Sequence, residues 1–357
     1  MNKMTMDSHK LNFHPRRVAE WLEAEDWEKA KKVYPIYLEI SPSGACNHRC
    51  IFCGLDFRGY VKEFLDKSVL KKRISEIANL GIKSVMFAGE GEPLLHKDMA
   101  EIAVFAKKAG IDVAITTNGA ALTRTFCKKA IDAISWIKVS IDAGTKKTYG
   151  MIHGAPEKDF ELVLRNMENA IKARKDNGCV IGGQMIVLQE NYSEVEILAK
   201  LLGGIGCDYL VLKPYSQHPS SVNHKEVNAQ DFMPEIREIV ERSNTKGFKI
   251  VLRENAFNSV DAPKEYNRCP SVPFLWGYVD VFGNVYSCSV FLNDKRFCLG
   301  NIYSQTFQQI WEGELRESNW KLMRDFDASS CRKGCRMEEC NLYLNGLKNP
   351  PQHVNFI

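Results

Sequence analysis

Twelve cysteines are the chemically informative residues of this 357-residue sequence, and nine of them fall into two groups. Near the amino terminus, the segment CNHRCIFCG places Cys46, Cys50 and Cys53 in a C-x3-C-x2-C spacing on one short loop. Three thiolates on one loop can converge on a single metal centre, and thiolates are ordinary ligands of iron–sulfur clusters and of structural zinc. A zinc site requires a fourth ligand, which His48 offers, whereas a 4Fe–4S cluster bound by three cysteines leaves one iron open.

The spacing, with Phe52 directly before the last cysteine, resembles the signature of the radical S-adenosylmethionine (radical SAM) superfamily. The resemblance implies that SAM binds the open iron through its amino and carboxylate groups. It further implies that one electron from the reduced cluster cleaves SAM to methionine and a 5′-deoxyadenosyl radical. This radical then removes a hydrogen atom from a substrate.

The rest of the sequence must position this loop, and its hydrophobic periodicity predicts alternating strands and helices. The predicted strands are residues 36–41, 83–89, 112–119, 136–144, 182–189 and 209–215. The predicted helices between them are residues 67–80, 97–109, 122–133, 159–175 and 193–204. Strands this apolar are covered on both faces, which indicates an α/β protein with a parallel sheet. The resemblance implies a partial (βα)6 TIM-like barrel, which we assign to residues 35–254.

Polar clusters follow successive predicted strands, at the end where β/α barrels carry their chemistry. Residues 89–93 resemble the Gly-Gly-Glu-Pro motif of the family, with Glu90 in place of the first glycine. The resemblance implies that this motif holds the SAM amino group and that polar residues after the next strands complete the site. The expected SAM contacts are Gly89, Glu90, Gly91, Glu92, Pro93, Thr117, Asn118, Ser140, Asp142 and Gln184. Taken alone, Ser140 and Asp142 equally suit helix caps.

From about residue 255 the pattern changes to a β-hairpin at 277–288 and short helices at 305–313 and 316–326. Cys269, followed by thirteen residues and Gly-x4-Cys, is similar to the start of a SPASM or Twitch extension, which carries auxiliary 4Fe–4S clusters. The shorter Twitch form, with one cluster, fits the available cysteines better. The expected ligands are Cys269, Cys288, Cys331 and Cys335, while Cys298 and Cys340 are spare and either is able to replace one of them. A structural zinc site is the alternative for four thiolates.

Composition excludes several classes of protein. The formal net charge of +4, from 48 Lys+Arg against 44 Asp+Glu, is too small to argue for nucleic acid or an anionic membrane as a partner. We find no secretory signal and no apolar run long enough to span a bilayer, so we expect a protein of the reducing cytoplasm, where disulfides are rare. Before the barrel, residues 1–34 are expected to contain one amphipathic helix at 15–33, and residues 255–357 form the cluster-binding extension.

The expected reaction is oxidation or epimerisation of a small sugar-like or aminocyclitol-like alcohol, with the auxiliary cluster carrying an electron and a donor such as flavodoxin or ferredoxin supplying electrons. The short segment before the first strand favours a small molecule over a peptide. Candidate substrate contacts are Lys213, Tyr215, Gln217, His218, His224 and Arg253. Two alternatives stay open: a maturase that modifies a ribosomal peptide or protein, and a non-catalytic, zinc-stabilised binding protein.

Overall fold

A computed structural model describes residues 6–175, 178–245, 247–272, 274–329 and 331–356. Its centre is one ten-stranded sheet, in which the strand order is β10-β9-β8-β1-β2-β3-β4-β5-β6-β7. The strands are β1 (Tyr37–Ile40), β2 (Ser84–Phe87), β3 (Asp112–Thr117), β4 (Trp136–Ser140), β5 (Val180–Val187), β6 (Tyr209–Pro214), β7 (Lys249–Leu252), β8 (Trp276–Val279), β9 (Asn284–Tyr286) and β10 (Cys298–Asn301).

Helices connect the strands. They are α1 (Pro15–Leu22), α2 (Trp27–Ala30), α3 (Lys67–Asn79), α4 (Met99–Lys108), α5 (Arg124–Ala130), α6 (Lys146–His153), α7 (Lys158–Ala173), α8 (Val195–Gly204), α9 (Met233–Ser243), α10 (Glu254–Asp261), α11 (Phe307–Trp311), α12 (Glu314–Asp325) and α13 (Glu338–Lys348). No helix in the described part of the chain is both long and apolar enough to cross a bilayer.

Strands β1 to β7 are parallel, and each pairs with the next along the chain. The six predicted strands are all present, which confirms the α/β class and the β–α series. The sheet also contains β7, which the sequence pattern missed because the run is short and half-exposed. The parallel part of the barrel therefore has seven strands where the sequence predicts six.

The two faces of this sheet differ in character because successive side chains of a strand point to opposite sides. Residues such as Leu38, Val85 and Ile137 pack with the helices in the main hydrophobic core. The intervening residues form the inner face of the partial barrel, which we call the lumen face. Glu39, Thr116, Lys138, Gln184 and Lys213 belong to it by the register of the strand pairs.

The carboxyl-terminal extension continues the barrel sheet at its β1 edge. Strand β8 pairs in parallel with β1, and β9 then turns back antiparallel to β8, as the predicted hairpin requires. Strand β10 and helix α13 were not predicted. The extension and the barrel therefore share one sheet, so that their loops meet at the same end of the strands.

One helix prediction is wrong. The single amphipathic helix expected at residues 15–33 is two short helices, α1 and α2. The chain leaves the helical conformation between them, and the side chain of Asp26 accepts a hydrogen bond from Lys29 N to cap α2. A local cap of this kind competes with helix continuation, which explains the break.

Candidate active site and second cysteine site

The first cysteine loop, residues 46–53, is held at the carboxyl ends of the strands by three neighbouring segments. Arg49 N donates to His153 O at the end of α6 (2.8 Å), and Asn118 Nδ2, after β3, donates to Asn47 Oδ1 (2.8 Å). The turn after β2 donates from Glu92 N to Ala45 O (2.8 Å). The loop is thus anchored before any metal binds.

The three thiols of this loop are free and half-buried. Burial raises the pKa of Cys46 to about 11 and that of Cys50 well above its ordinary value, and the neighbouring thiols raise both further. Each pair among Cys46, Cys50 and Cys53 lies close enough to interact in this way. Three thiols on one loop are a soft donor set suited to iron with sulfide.

Behind Cys50 lies His153, which sequence reasoning missed. Its Nδ1 is 3.2 Å from Cys50 Sγ and its Nε2 is 3.0 Å from Ile141 O. Burial lowers the pKa of His153 to about 3, so the ring is neutral. The carbonyl acceptor places the ring proton on Nε2, which leaves Nδ1 to face the thiol.

His48, the possible zinc ligand, is buried, and its Nε2 lies 3.7 Å from Asp159 Oδ2. It groups with Cys50 and His153 within 4.8 Å, but in the described part of the chain no equally compact group joins it to all three thiols. The geometry therefore does not support the four-ligand zinc site that the loop sequence left open.

Glu92 and Gly91 lock the turn after β2 against the cysteine loop. Both carboxylate oxygens of buried Glu92 accept hydrogen bonds, Oε1 from Thr117 Oγ1 (2.6 Å) and Oε2 from Asn118 N (2.7 Å). A Cβ atom at Gly91 would lie 2.3 Å from Ala45 O, so only glycine permits this approach. The structure thus brings Gly91, Glu92, Thr117 and Asn118 together at the loop, as expected of one site.

Glu90 has a different role from the one predicted. Its carboxylate accepts from Arg58 Nε (2.8 Å) and from Val281 N (3.2 Å), and Arg58 also pairs with Asp280 (3.0 Å). All three charged side chains are almost fully buried. The Glu90 side chain therefore binds the barrel to the β8–β9 hairpin and is not directed to the expected SAM amino group. Gly89, with φ at 117°, and Pro93, which begins a short 3-10 helix, shape this turn.

Ser140, Asp142 and Gln184 meet at the ends of β4 and β5. Gln184 Nε2 donates to Ser140 Oγ (3.2 Å), while Gln184 Oε1 is buried without a partner among the described residues. Asp142 is fully buried with φ at 52°, and its Oδ1 accepts from Ile186 N (2.6 Å). Burial raises the pKa of Asp142 to about 7. Neither Ser140 nor Asp142 caps a helix, so the alternative interpretation of these two residues as helix caps is wrong.

Three cations line the lumen face near these groups. They are Lys138 on β4, Lys213 on β6 and Arg253, which directly follows β7. Burial, and then repulsion from neighbouring cations, lowers the pKa of Lys138 to about 8 and that of Lys213 to about 7. Lys213 and Arg253 were candidate substrate contacts, whereas Lys138 was overlooked because a lysine inside a strand resembles a solvated residue.

The loop after β6, residues 215–225, contains the other substrate candidates, and we call it the bridge loop. Tyr215 OH is 2.5 Å from Gln217 Oε1, and Gln217 Nε2 donates to His218 O and Asn223 O. These bonds fold the loop on itself, so the Gln217 side chain is not free for a substrate. His224 is exposed and is not brought into the site.

His218 is likewise a packing residue. Its Nδ1 accepts from Ser220 N (3.1 Å), its Nε2 is 3.4 Å from Ser289 O, and its ring stacks on Phe57 at 5.0 Å between centroids. The ring thus lies between the first cysteine loop region and the extension. The prediction of a substrate contact is not supported at this position.

The bridge loop binds the first cysteine loop at one end. Buried Asp56 accepts hydrogen bonds from Val222 N (3.1 Å), Asn223 N (2.9 Å) and Ser221 Oγ (3.0 Å). Ser221 Oγ also lies 3.1 Å from Cys53 O. Asp56 was missed by sequence reasoning because a single aspartate after a cysteine motif carries no distinguishing pattern.

At its other end the bridge loop binds the segment between Cys331 and Cys335. Ser216 Oγ donates to Lys333 O (2.5 Å), and Arg332 donates to Ser216 Oγ (2.9 Å) and to Ser216 O (2.6 Å). One loop therefore contacts both cysteine-containing segments.

The second cysteine site consists of Cys269, Cys288, Cys331 and Cys335. Burial raises the pKa of Cys288 well above its ordinary value and that of Cys335 to about 12. The other thiols of the set raise both further, and Cys269 raises the pKa of Cys331. Each pair among the four is close enough to interact electrostatically. The structure therefore brings together the four cysteines that the sequence predicts as ligands.

The two spare cysteines differ. Cys340, on α13, interacts with Cys269, and burial with this neighbour raises its pKa to about 12. Cys298 lies on β10, where its thiol is 3.8 Å from Gly300 O, and Asp280 is its charged neighbour. Cys340 is therefore the one spare residue adjacent to the site, while Cys298 lies apart from it.

Comparison with known proteins agrees with this architecture. The family model for the radical SAM superfamily matches residues 40–202, and that for the SPASM iron–sulfur cluster-binding domain matches residues 269–341. A probable GTP 3′,8-cyclase of Saccharolobus islandicus is 29% identical over 211 residues, which cover 58% of this chain and 66% of that protein. The Fe-coproporphyrin III synthase of Methanosarcina barkeri is 23% identical over 329 residues, covering 83% and 79%.

Solved structures share the fold. Streptococcus suis SuiB bound to precursor peptide SuiA has a TM-score of 0.66 at 16% identity, covering 95% of this chain and 77% of that one. The protein anSMEcpe with bound AdoMet has a TM-score of 0.61 at 18% identity, covering 81% and 83%. At these low sequence identities, the similarity shows a shared fold only.

The seven-stranded partial barrel with a cysteine loop after β1 is therefore a radical SAM fold. The chain belongs to the radical SAM superfamily and carries a SPASM-type extension at its carboxyl terminus. Its cofactors are a SAM-binding 4Fe–4S cluster, SAM and an auxiliary cluster. The zinc-stabilised, non-catalytic alternative is set aside.

The residues present fit these groups. Three mutually close thiols suit the SAM-binding cluster, and four suit an auxiliary cluster whose irons are all bound by protein. Gly91 holds the turn after β2 tightly against the first loop, and the unpartnered oxygen of Gln184 leaves hydrogen-bonding capacity where β4 and β5 end. The individual SAM contacts and cluster ligands stay predictions.

Proposed function

We propose that this enzyme acts on a C–H bond of a small polar molecule held in the barrel lumen and that the net reaction is the two-electron oxidation of an alcohol. When bound, the first cluster and SAM would supply a 5′-deoxyadenosyl radical that takes one hydrogen atom, and the auxiliary cluster would accept the second electron as the alcohol loses its proton. The observation that carries the proposal is the bridge loop, which contacts both cysteine-containing segments.

This arrangement has a direct chemical consequence. A substrate beneath the bridge loop lies between the radical source and an electron acceptor, with Asp56 fixing the loop on one side and Arg332 on the other. Leu55, Phe57 and the cysteines of the second site belong to one hydrophobic cluster, and an apolar surround of this kind limits the access of water to a radical.

The positions of the remaining cysteines favour oxidation over epimerisation. Epimerisation requires a hydrogen-atom donor on the opposite face of the substrate, normally a cysteine thiol. Cys127, Cys179 and Cys207 are buried in the helix-side core, away from the lumen face. Cys298 and Cys340 lie in the extension. Among the described residues, no spare thiol belongs to the lumen face by strand register.

The small-molecule substrate is supported by the cyclase name of several curated relatives, although the chain spans 66% of their length. Solved neighbours include a complex with a precursor peptide, so peptide modification is the rival outcome. The lumen residues Lys213 and Arg253 are the substrate contacts we retain, and Tyr215 is a third at the loop edge. We place the enzyme in the reducing cytoplasm, with flavodoxin or ferredoxin as electron donor.

The test is anaerobic incubation of the reconstituted enzyme with SAM and dithionite, first alone and then with panels of alcohols and of peptides. We expect 5′-deoxyadenosine, and with the correct alcohol a product two mass units lighter, in keeping with loss of two hydrogens. Incorporation of solvent deuterium into a C–H bond of the substrate without net oxidation would contradict the assignment of the reaction as an alcohol oxidation. Turnover of peptides alone would establish the rival.

A further inference from the structure

The lumen face carries positive charge on β4, near the end of β6 and directly after β7. Lys138, Lys213 and Arg253 lie on or directly after these strands, and Arg332 of the extension is near enough to Lys213 to lower its pKa. Among the described residues, the side chains of Lys138 and Lys213 show no ion pair or hydrogen bond, although Lys138 lies 5.6 Å from the ring of Trp136.

The nearby carboxylates do not balance the charge of the two lysines. Asp142 is the carboxylate that acts on both lysines, and burial raises its own pKa to about 7. Asp7 lies 3.6 Å from Arg253, from Oδ1 to Nε, and Glu339 is a second acidic neighbour of that arginine.

Another lumen carboxylate, Glu39, is already paired with Arg336. The two lysines are therefore left with one weakly ionised partner, Asp142.

Strand register shows where the cations lie. Ser140 pairs with Gln184, and two residues further along the sheet Ile186 pairs with Lys213. Arg253 N donates to Leu212 O, so Arg253 follows at the level of Lys213 on the adjacent strand. Lys213 and Arg253 thus stand at the mouth of the lumen, with Lys138 deeper in it.

The expected SAM contacts after β2 and β3 hydrogen-bond the cysteine loop that follows β1. Lys213 and Arg253 belong instead to β6 and the end of β7, the last two strands of the parallel series, although Asp142 is a shared neighbour of Lys138 and Lys213. An anion bound beside β6 and β7, in addition to SAM, would account for these cations.

We infer that the mouth of the lumen binds a negatively charged group of the substrate, a phosphate or a carboxylate, through Lys213 and Arg253, with Lys138 beneath. The inference rests on the proposed function in one respect only, that the anion belongs to the substrate. Fixed cations at one end of a cavity orient an anionic molecule so that a chosen C–H bond faces the radical.

The state of Lys213 supports this assignment. Burial, followed by Lys138, Arg253 and Arg332, lowers its pKa to about 7. An anion bound beside it favours the charged ammonium and restores the full charge near neutral pH.

The test uses the reconstituted holoenzyme with SAM, titrated at constant ionic strength by calorimetry with inorganic phosphate, malonate and uncharged glycerol. We expect saturable binding of at least one anion and none of glycerol. Lys213→Gln should weaken anion binding by about tenfold or more, equivalent to about 1.4 kcal/mol. Lys213→Arg should retain it, and Lys128→Gln, the same change on the outer face of α5, should have no effect.

Binding of phosphate alone or of malonate alone identifies the charged group, and either result supports the inference. Equal affinities of Lys213→Gln and wild type, or no saturable binding of either anion by wild type, would overturn it. Arg253→Gln carries the same expectation if Lys213→Gln fails to fold. The two hypotheses can fail separately, because calorimetry measures binding without turnover. An enzyme that binds anions but forms no 5′-deoxyadenosine would contradict the proposed function and leave the anion site intact.

Discussion

The two cysteine sites of this molecule are built in opposite ways. The first takes Cys46, Cys50 and Cys53 from a single loop, whereas the second takes its thiols from segments far apart in sequence, including Cys269 and Cys335. Three ligands leave one iron for SAM, and four leave none. The number of thiols thus distinguishes a site suited to bind SAM from a site whose proposed role is electron transfer.

The residues that surround the two cysteine sites also differ. The first site is backed by polar groups, with His153 at Cys50 and Glu92 tied to Asn118. The second lies in a hydrophobic cluster with Trp276 and Tyr278, although Asn341 Nδ2 donates to Cys269 Sγ (3.3 Å) and Lys264 and Arg332 are nearby cations. Polar neighbours suit a site that must bind and release SAM, and a mainly apolar shell suits a permanent cluster.

Removal of a first-site ligand gives the largest expected effect. We expect Cys50→Ala to reduce SAM cleavage to background, because no open iron remains to bind SAM, and to lower the iron content by about half. Anaerobic iron and sulfide analysis with quantification of 5′-deoxyadenosine checks both effects. Retained cleavage at wild-type rate would show that Cys50 is not a ligand.

The matching change at the second site should separate the two functions. Cys335→Ala should also lower iron by about half, yet SAM cleavage with dithionite should continue while oxidised product is lost. Cys298→Ala serves as the control, since Cys298 lies apart from the four thiols. If Cys298→Ala loses iron and Cys335→Ala keeps it, the ligand assignment is wrong.

The contact between the regions can be broken at Arg58, which pairs with Glu90 of the barrel and Asp280 of the hairpin. Arg58→Met leaves two buried carboxylates without their cation, and loss of such a partner costs roughly 3–5 kcal/mol. Chemical denaturation of the anaerobic protein measures the change. As a control, Arg296→Gln removes an exposed surface pair with Asp294 and should leave stability unchanged. Equal stabilities of Arg58→Met and wild type would show that Arg58 does not couple the regions.

A smaller, pH-dependent effect is expected at Asp142 of the first region. Its pKa of about 7 in the folded protein lies above the ordinary value for an aspartate, so the folded state holds the proton more tightly. Stability should therefore fall as pH rises through 7, by about 2 kcal/mol from this group between about pH 5.5 and 8. Asp142→Asn, which tolerates the positive φ, should flatten this dependence. An unchanged profile would contradict the assignment.

The contrast between the two cysteine sites explains which features of the molecule could be predicted from the sequence. The first site and six strands depend on local spacing and periodicity, which a single sequence displays directly. The four thiols of the second site were found through a family resemblance, because Cys269 and Cys335 meet only after the hairpin folds. The pairing of Glu90 with Arg58 and the burial of Lys138 depend on contacts between residues far apart in sequence, so neither is visible as a pattern in the sequence.

Electron paramagnetic resonance of the reduced enzyme, with and without SAM, tests the central claim most directly. We predict two overlapping 4Fe–4S signals, of which SAM perturbs one only, the signal that Cys50→Ala removes and Cys335→Ala retains. A protein that contains zinc in place of iron, or a SAM-sensitive signal that survives Cys50→Ala, would contradict the account.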